Sequence, residues 1–242
     1  MYLLKPILAT TRKLLLLFLL CTCTVSLAQG KASDRKALKA KTAMIKASGG
    51  EKALNAINLF SYSILKTSYG TDTITTRTDY ILDLSRQYVE EKQFTDIDST
   101  IRWTDATGAW IILNGNKSKL PEDEIKRLQR ILLTNFISML KNDALEYVYK
   151  ESTSYKGKTV DIIKVYTPSR QNLVLDLFID SENGQILTSS KPDPETGKYS
   201  YYADELDYQH IGEGVKFPLV YQVWIGGKIV TEGRFMDVVV RK

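Results

Sequence analysis

An α+β fold built mainly from antiparallel strands is what this sequence predicts, and three features carry the prediction. Period-two alternation of apolar and polar residues recurs along most of the chain, as at Val215, Phe217, Leu219, Tyr221, Val223 and Ile225. Turn residues punctuate it at Gly157, Asn183-Gly184, Gly197, Gly212/Gly214 and Gly226-Gly227. One long stretch, 121–141, switches to helical period. Hairpins in succession favour a meander, and a meander of about twelve strands must curl. A curved, incompletely closed β-barrel with helices over its concave face satisfies this, and so does a two-sheet sandwich. Periodicity alone leaves both open.

The first 28 residues read as a secretory signal peptide. Lys5, Arg12 and Lys13 form a positive start, Leu14–Leu20 is an unbroken apolar run, and Ser26-Leu27-Ala28 places small residues before Gln29. The run from Leu14 to Ala28 is shorter than the roughly 20 residues of a spanning helix. Cys23 follows Thr22 and Cys21 follows Leu20, so neither sits in a good lipidation site. Both cysteines of the chain lie in this leader, so a chain starting at Gln29 is held by no disulfide and uses no thiolate. Without Lys5, Arg12 and Lys13 the basic residues fall from 33 to 30 against 28 acids, and the net charge from +5 to +2. Nucleic acid is therefore not an expected partner. Residues 29–242 suffice for one domain and contain no linker that would divide it.

The elements follow in order. Ser33-Asp34 caps a first helix reaching about Ala47, with Leu38, Met44 and Ile45 on its apolar side and Ser48-Gly49-Gly50 as its stop. A short helical turn covers Glu51 to Ile57. Strands are expected at 59–68, 73–82 and 86–95, and Trp103 and Trp110 flank a turn at Ala106-Thr107-Gly108. Pro121 opens the long helix, and Glu122-Asp123-Glu124 suit the positive end of its dipole. Ile125, Leu128, Leu132, Phe136 and Met139 form one apolar stripe as far as Lys141. Strands resume at 145–151, 159–167, 172–180, 185–190, 198–209, 215–225 and 228–240. Leu173, Leu175, Leu177 and Ile179 make a second wholly apolar strand face.

Residues that carry chemistry are few. His210 is the single histidine, so neither a zinc site nor a Ser-His-Asp triad has the ligands or the base it needs; it reads as a turn residue. Gly212-Glu213-Gly214 is too short for a dinucleotide loop. Asp96-Ile97-Asp98 lacks the glycine and downstream glutamate of a calcium loop. In Glu90-Glu91 and Asp204-Glu205, neighbours on a strand face opposite ways, so neither doublet is a carboxylate pair. The tyrosines at 199, 201, 202, 208 and 221 suit either amphipathic packing or the rim of an apolar pocket. No enzyme, cofactor or metal is implied.

Four separated segments resemble the periplasmic outer-membrane lipoprotein-sorting (LolA-like) family. They are Gly49-Gly50-Glu51-Lys52-Ala53-Leu54, Asp105-Ala106-Thr107-Gly108-Ala109-Trp110, Leu177-Phe178-Ile179-Asp180 with Asn183-Gly184, and Tyr201-Tyr202-Ala203-Asp204 leading to Gly214-Val215-Lys216-Phe217-Pro218. Ala106 and Ala109 stand where the family often has glycine. Arg86 lies where the family often has an arginine at a strand start, a solvated edge arginine being the other reading. The resemblance implies the open barrel rather than the sandwich. It also implies a periplasmic, non-enzymatic binder or carrier of lipoprotein acyl chains or other lipids, with a membrane-bound donor or acceptor protein as a further partner. A sensing or protein-interaction module of the same fold is the alternative. The groove is expected to use Leu175, Leu177, Phe217, Leu219, Tyr221 and Val223, under a lid carrying Ile125, Leu128, Leu132 and Phe136. The physical need is large: about 0.8 kcal/mol per methylene makes a sixteen-carbon chain cost about 12 kcal/mol in water.

Overall fold

The computed structural model describes residues 35–94, 99–105 and 107–242. The leader, the Asp96-Ile97-Asp98 segment and Ala106 lie outside the described residues. Helix α1 (35–47) and α2 (Glu51–Asn55) come first. Six strands follow: β1 (Leu59–Tyr69), β2 (Thr73–Asp83), β3 (Tyr88–Phe94), β4 (Ser99–Asp105), β5 (Gly108–Leu113) and β6 (Asn116–Lys119). Helices α3 (Glu122–Thr134) and α4 (Phe136–Lys141) lead into β7 (Glu146–Tyr155), β8 (Lys158–Tyr166), β9 (Leu173–Asp180) and β10 (Ile186–Ser190). The chain finishes with β11 (Tyr202–Gly212), β12 (Val215–Ile225) and β13 (Lys228–Arg241).

The described strands form one antiparallel sheet in the order β6-β5-β4-β3-β2-β1-β13-β12-β11-β10-β9-β8-β7. Every neighbouring pair is a sequential connection except β1 with β13, where the first and last described strands meet in the middle of the sheet. The free edges are therefore β6 and β7, and the segment joining them is the helical pair α3–α4. The sheet stays open between those edges, so the incompletely closed barrel, not the sandwich, is the architecture. At 1.5 Å per residue, the 13 residues of α3 reach about 20 Å across the opening. Both edges are blunted against further pairing. Strand β6 has four residues, all exposed, with Lys117 lying over the rings of Trp110 and Trp103. Strand β7 carries a bulge between Tyr149 and Glu151.

The concave face holds the main core. Phe60, Leu82, Val89, Ile163, Val165, Leu177, Ile179, Val215 and Phe217 are buried there with Met44 of α1 and Leu128 of α3. Two expectations are corrected. The helix from Pro121 to Lys141 is two helices: Asn135 is extended (φ −56°, ψ 138°), and its side-chain oxygen accepts from the Ile137 amide at 3.1 Å. An asparagine that caps the following turn competes with the helix it interrupts. All of Phe136–Leu140 is buried, so α4 has no wet side and the single stripe ends with α3. In α1 the buried positions are Ala37, Ala40 and Met44, and Leu38 is 65% exposed, because small residues let the helix lie close to the sheet. A further finding is that the outer face of the sheet is dry over β8–β11. Val160, Ile162 and Phe178 form a second core there with Tyr155, Leu187, Tyr199 and Tyr202. Asp176, fully buried, accepts from Tyr199 at 2.5 Å on that side.

The turn after α1 is fixed by a close approach. Gly49 has φ +111°, and a Cβ there would lie 2.2 Å from the carbonyl oxygen of Gly214. The Lys216 amide donates to the Ser48 carbonyl at 3.0 Å, so this turn seats α1 and α2 against the β11–β12 hairpin.

Candidate functional site

The concave face has a different character along its length, set by which helix covers it. Beneath α1 and α4 it is closed. Phe217 (1% exposed) packs against Phe136 of α4, with ring centres 5.5 Å apart, and Leu177 (1%) belongs to the same core. Leu175 and Leu219 are half-buried against it. Tyr221 lies farther along β12, its ring 5.8 Å from Phe235. It rests on bare backbone: a Cβ at Gly233 would stand 2.0 Å from the Tyr221 ring. An isolated glycine inside a strand pattern is the sequence signal for such an approach. Val223 is half-buried and pairs with Ala203. Among the lid residues, Leu128 and Phe136 are buried, and Ile125 and Leu132 are half-buried against the core.

Beneath the far end of α3 the space is open. A cavity of about 940 Å³ lies between the α3–α4 pair and the ends of β2, β3 and β4. Leu84, Leu132 and Leu133 give it an apolar side; Thr104, Gln129, Ser138, Lys141 and Asn142 give it a polar one. Arg86 and Gln87 contribute from the β2–β3 turn. Of the ten groove and lid residues expected from sequence, Leu132 is the one that lines it. Thr104 (7% exposed) and Ser138 (9%) are buried, and neither hydroxyl has a hydrogen-bond partner. Lys141 donates to the Ile57 carbonyl, and burial pulls its ammonium pKa down. Sequence reading passed over these residues because each is ordinary locally. The signal present was a serine inside the apolar run Phe136–Leu140.

At the opposite end of α3 a buried ion cluster ties the helix to the sheet. Glu91 is 4% exposed and accepts from Arg127 of α3 through both oxygens, at 2.6 and 2.7 Å. Tyr80 (2.9 Å) and Arg102 (3.2 Å) also donate to it. Burial alone would raise the Glu91 carboxyl; Arg127, Tyr80 and Arg102 outweigh it and hold the pKa below the ordinary carboxylate value. Glu91 shares its face with Val89, whereas Glu90 points the other way and accepts from Tyr88.

The second doublet splits likewise. Asp204 accepts from Tyr155 (2.7 Å) and Lys156 on the outer face. Glu205 lies opposite Tyr221 on the concave side. Burial, with Asp204 beside it, pushes the Glu205 carboxyl up to about 8. A carboxyl raised in the folded state keeps its full stability at low pH and loses it as pH climbs from the unfolded value toward the folded one. Glu205→Gln is therefore expected to match the wild type in urea unfolding at pH 4 and to exceed it by about 1–3 kcal/mol at pH 9, the partial exposure of Glu205 lowering the figure. The remaining sequence candidates do not gather here. His210 is exposed and lies within β11, not in a turn. Tyr199 and Tyr202 are on the outer face.

No protein-family model matches the chain, and no curated protein matches it in sequence. Solved structures do. A LolA superfamily protein from Nitrosomonas europaea aligns with a TM-score of 0.57 and 11% identity, over 79% of this chain and 91% of that one. A DUF1329 family protein from Desulfovibrio piger aligns at 0.54 and 9%, over 84% and 92%. A candidate outer membrane lipoprotein-sorting protein domain from Vibrio parahaemolyticus aligns at 0.53 and 9%, over 86% and 94%. With so little sequence in common, these likenesses carry the arrangement of the backbone: an open antiparallel sheet curved around helices, which is the LolA-like fold.

Proposed function

We propose that the chain is a non-enzymatic periplasmic binder or carrier of lipoprotein acyl chains or other lipids. The observation that carries this reading is the cavity of about 940 Å³ beside α3, with Leu84, Leu132 and Leu133 on one side and polar groups on the other. A wall of mixed character suits an amphiphile, and the volume is that of a small-molecule site. The groove residues Leu175, Leu177, Phe217, Leu219, Tyr221 and Val223 extend the apolar floor beyond it. They reach a ligand only if α4 lifts, taking Phe136 with it, while Ile125, Leu128 and Leu132 ride on α3. A membrane-bound donor or acceptor protein would supply and receive the chain.

Leu132→Asp is expected to weaken binding of a fluorescent fatty acid at least tenfold and to lower stability by about 1–3 kcal/mol, since it buries a charge at the cavity wall. Unchanged binding would remove α3 from the site. Native mass spectrometry of the protein taken from the periplasm should show co-purified lipid. One observation favours a second reading, an interaction module of the same fold: Phe217 and Leu177 are already covered by the protein's own side chains. Repeated absence of lipid, with no fatty-acid binding in solution, would favour it.

A further inference from the structure

The cavity beside α3 sets charged groups beside its apolar wall, Arg86 and Lys141 against Asp105 and Asp143. Its two acids are engaged elsewhere. Asp105 accepts from the Thr107 amide at 2.7 Å and from Trp103 at 3.2 Å, and Asp143 pairs with Lys41 at 3.1 Å. Arg86 is 83% exposed at the rim and is 3.5 Å from Asp83. Lys141 is different. It is half-buried, it donates to the Ile57 carbonyl, and it forms no ion pair with a carboxylate among the described residues. An ammonium has three donors, so two remain. Ser138 and Lys141 stand three apart on α4 and share a side of the helix. Ser138 and Thr104, both more than nine-tenths buried, line the same wall; their hydroxyls lack any partner and are closed off from solvent, so each reaches a head group by turning about its Cα–Cβ bond. Buried hydroxyls without partners are costly and mark a place where a polar group belongs.

We propose that this cavity selects an amphiphile with an anionic head, a carboxylate or a phosphate, held by Lys141 with Ser138 and Thr104 as hydroxyl donors, its chain lying along Leu84, Leu132 and Leu133. The inference rests on the lipid-binding reading and adds to it the class of head group. A cationic head would compete with Lys41 for Asp143 and would meet Asp105 already hydrogen-bonded to Thr107 and Trp103, and a neutral one leaves Lys141 without a counter-charge. Arg86 is placed to add a second positive charge at the mouth.

The test is displacement of a fluorescent fatty acid from the full chain by dodecanoate, dodecyl phosphate, dodecanol, dodecyltrimethylammonium and inorganic phosphate. Dodecanoate and dodecyl phosphate are expected to bind at least tenfold more tightly than dodecanol, and dodecyltrimethylammonium more weakly still. In Lys141→Gln the affinity for dodecanoate should fall to that for dodecanol. Because Lys141 also donates to Ile57, Ser138→Ala and Thr104→Val serve as second variants, each expected to reduce the preference for dodecanoate about three-fold or more with a melting temperature no lower than that of the wild type. Equal binding of dodecanoate and dodecanol would overturn the head-group proposal and leave the lipid reading standing. Inorganic phosphate binding as tightly as dodecyl phosphate would also overturn it, marking a free-anion site. Binding of no chain at all would overturn both.

Discussion

Replacing Arg127 with alanine is expected to destabilise the protein by about 3 kcal/mol in urea unfolding at neutral pH. Removing one partner of a buried ion pair costs about 3–5 kcal/mol, because the other charge is left without compensation in a poor solvent. Glu91 is that charge, at 4% exposure. Tyr80 and Arg102 still donate to it after the change, and the Arg127 side chain is itself 37% exposed, which together place the loss at the low end. The double change Glu91→Leu with Arg127→Leu should recover most of the loss, since it removes both charges and leaves Arg102 near Glu124, 3.7 Å away. The sign with pH follows from the depressed Glu91 carboxyl. Its stabilisation is fully present above the ordinary carboxylate value and is lost as pH falls through the lower folded one, so any margin of the wild type over the double variant should shrink as pH falls below the ordinary carboxylate value. A single variant as stable as the wild type would mean that the cluster does not fasten α3 to the sheet.

Phe217→Ala is expected to cost about 3–5 kcal/mol, the range for emptying a well-packed aromatic site. The ring stands 5.3 Å from Phe60, 5.5 Å from Phe136 and 5.0 Å from Phe235, each pair edge-to-face, and none of these neighbours can collapse into the space without moving α4 or a strand. The size of the loss separates two roles for β12. A side chain that packs against α4 loses several kcal/mol; one that lines an open groove loses less than about 1 kcal/mol, because solvent already faces it. Thermal or urea unfolding of the variant reads this directly. A small loss would place Phe217 on an open surface and contradict the closed packing.

How far the chain speaks for itself can be seen residue by residue. Alternation along β12 and β9, with glycine or Asn-Gly turns between the strands, was legible because a half-buried strand must alternate and a tight reversal needs special backbone. The meander and a helical insertion within it followed from the same rules; the four exposed residues of β6, too short and polar to alternate, and the break at Asn135 did not. The LolA-like fold was readable from four motifs in order, and the sheet order bears it out. Local pattern could not show that β1 pairs with β13, since that contact joins residues almost the length of the domain apart. It could not show that the outer face over β8–β11 is dry: Tyr199 and Tyr202 read as amphipathic until the loop carrying Tyr199 folds across Phe178. It also could not place the cavity. Thr104, Ser138 and Lys141 lie on a strand and a helix that neither follow nor resemble one another, and they meet because α3 and α4 must span the gap between β6 and β7. The sequence by itself determined most of the strands, the inner faces of β9 and β12 and the fold class, which depend on neighbours one to four residues away. Tertiary structure alone decided which apolar faces were filled and which left room, because that depends on how helices of fixed length cross an opening whose width the curvature of the sheet sets.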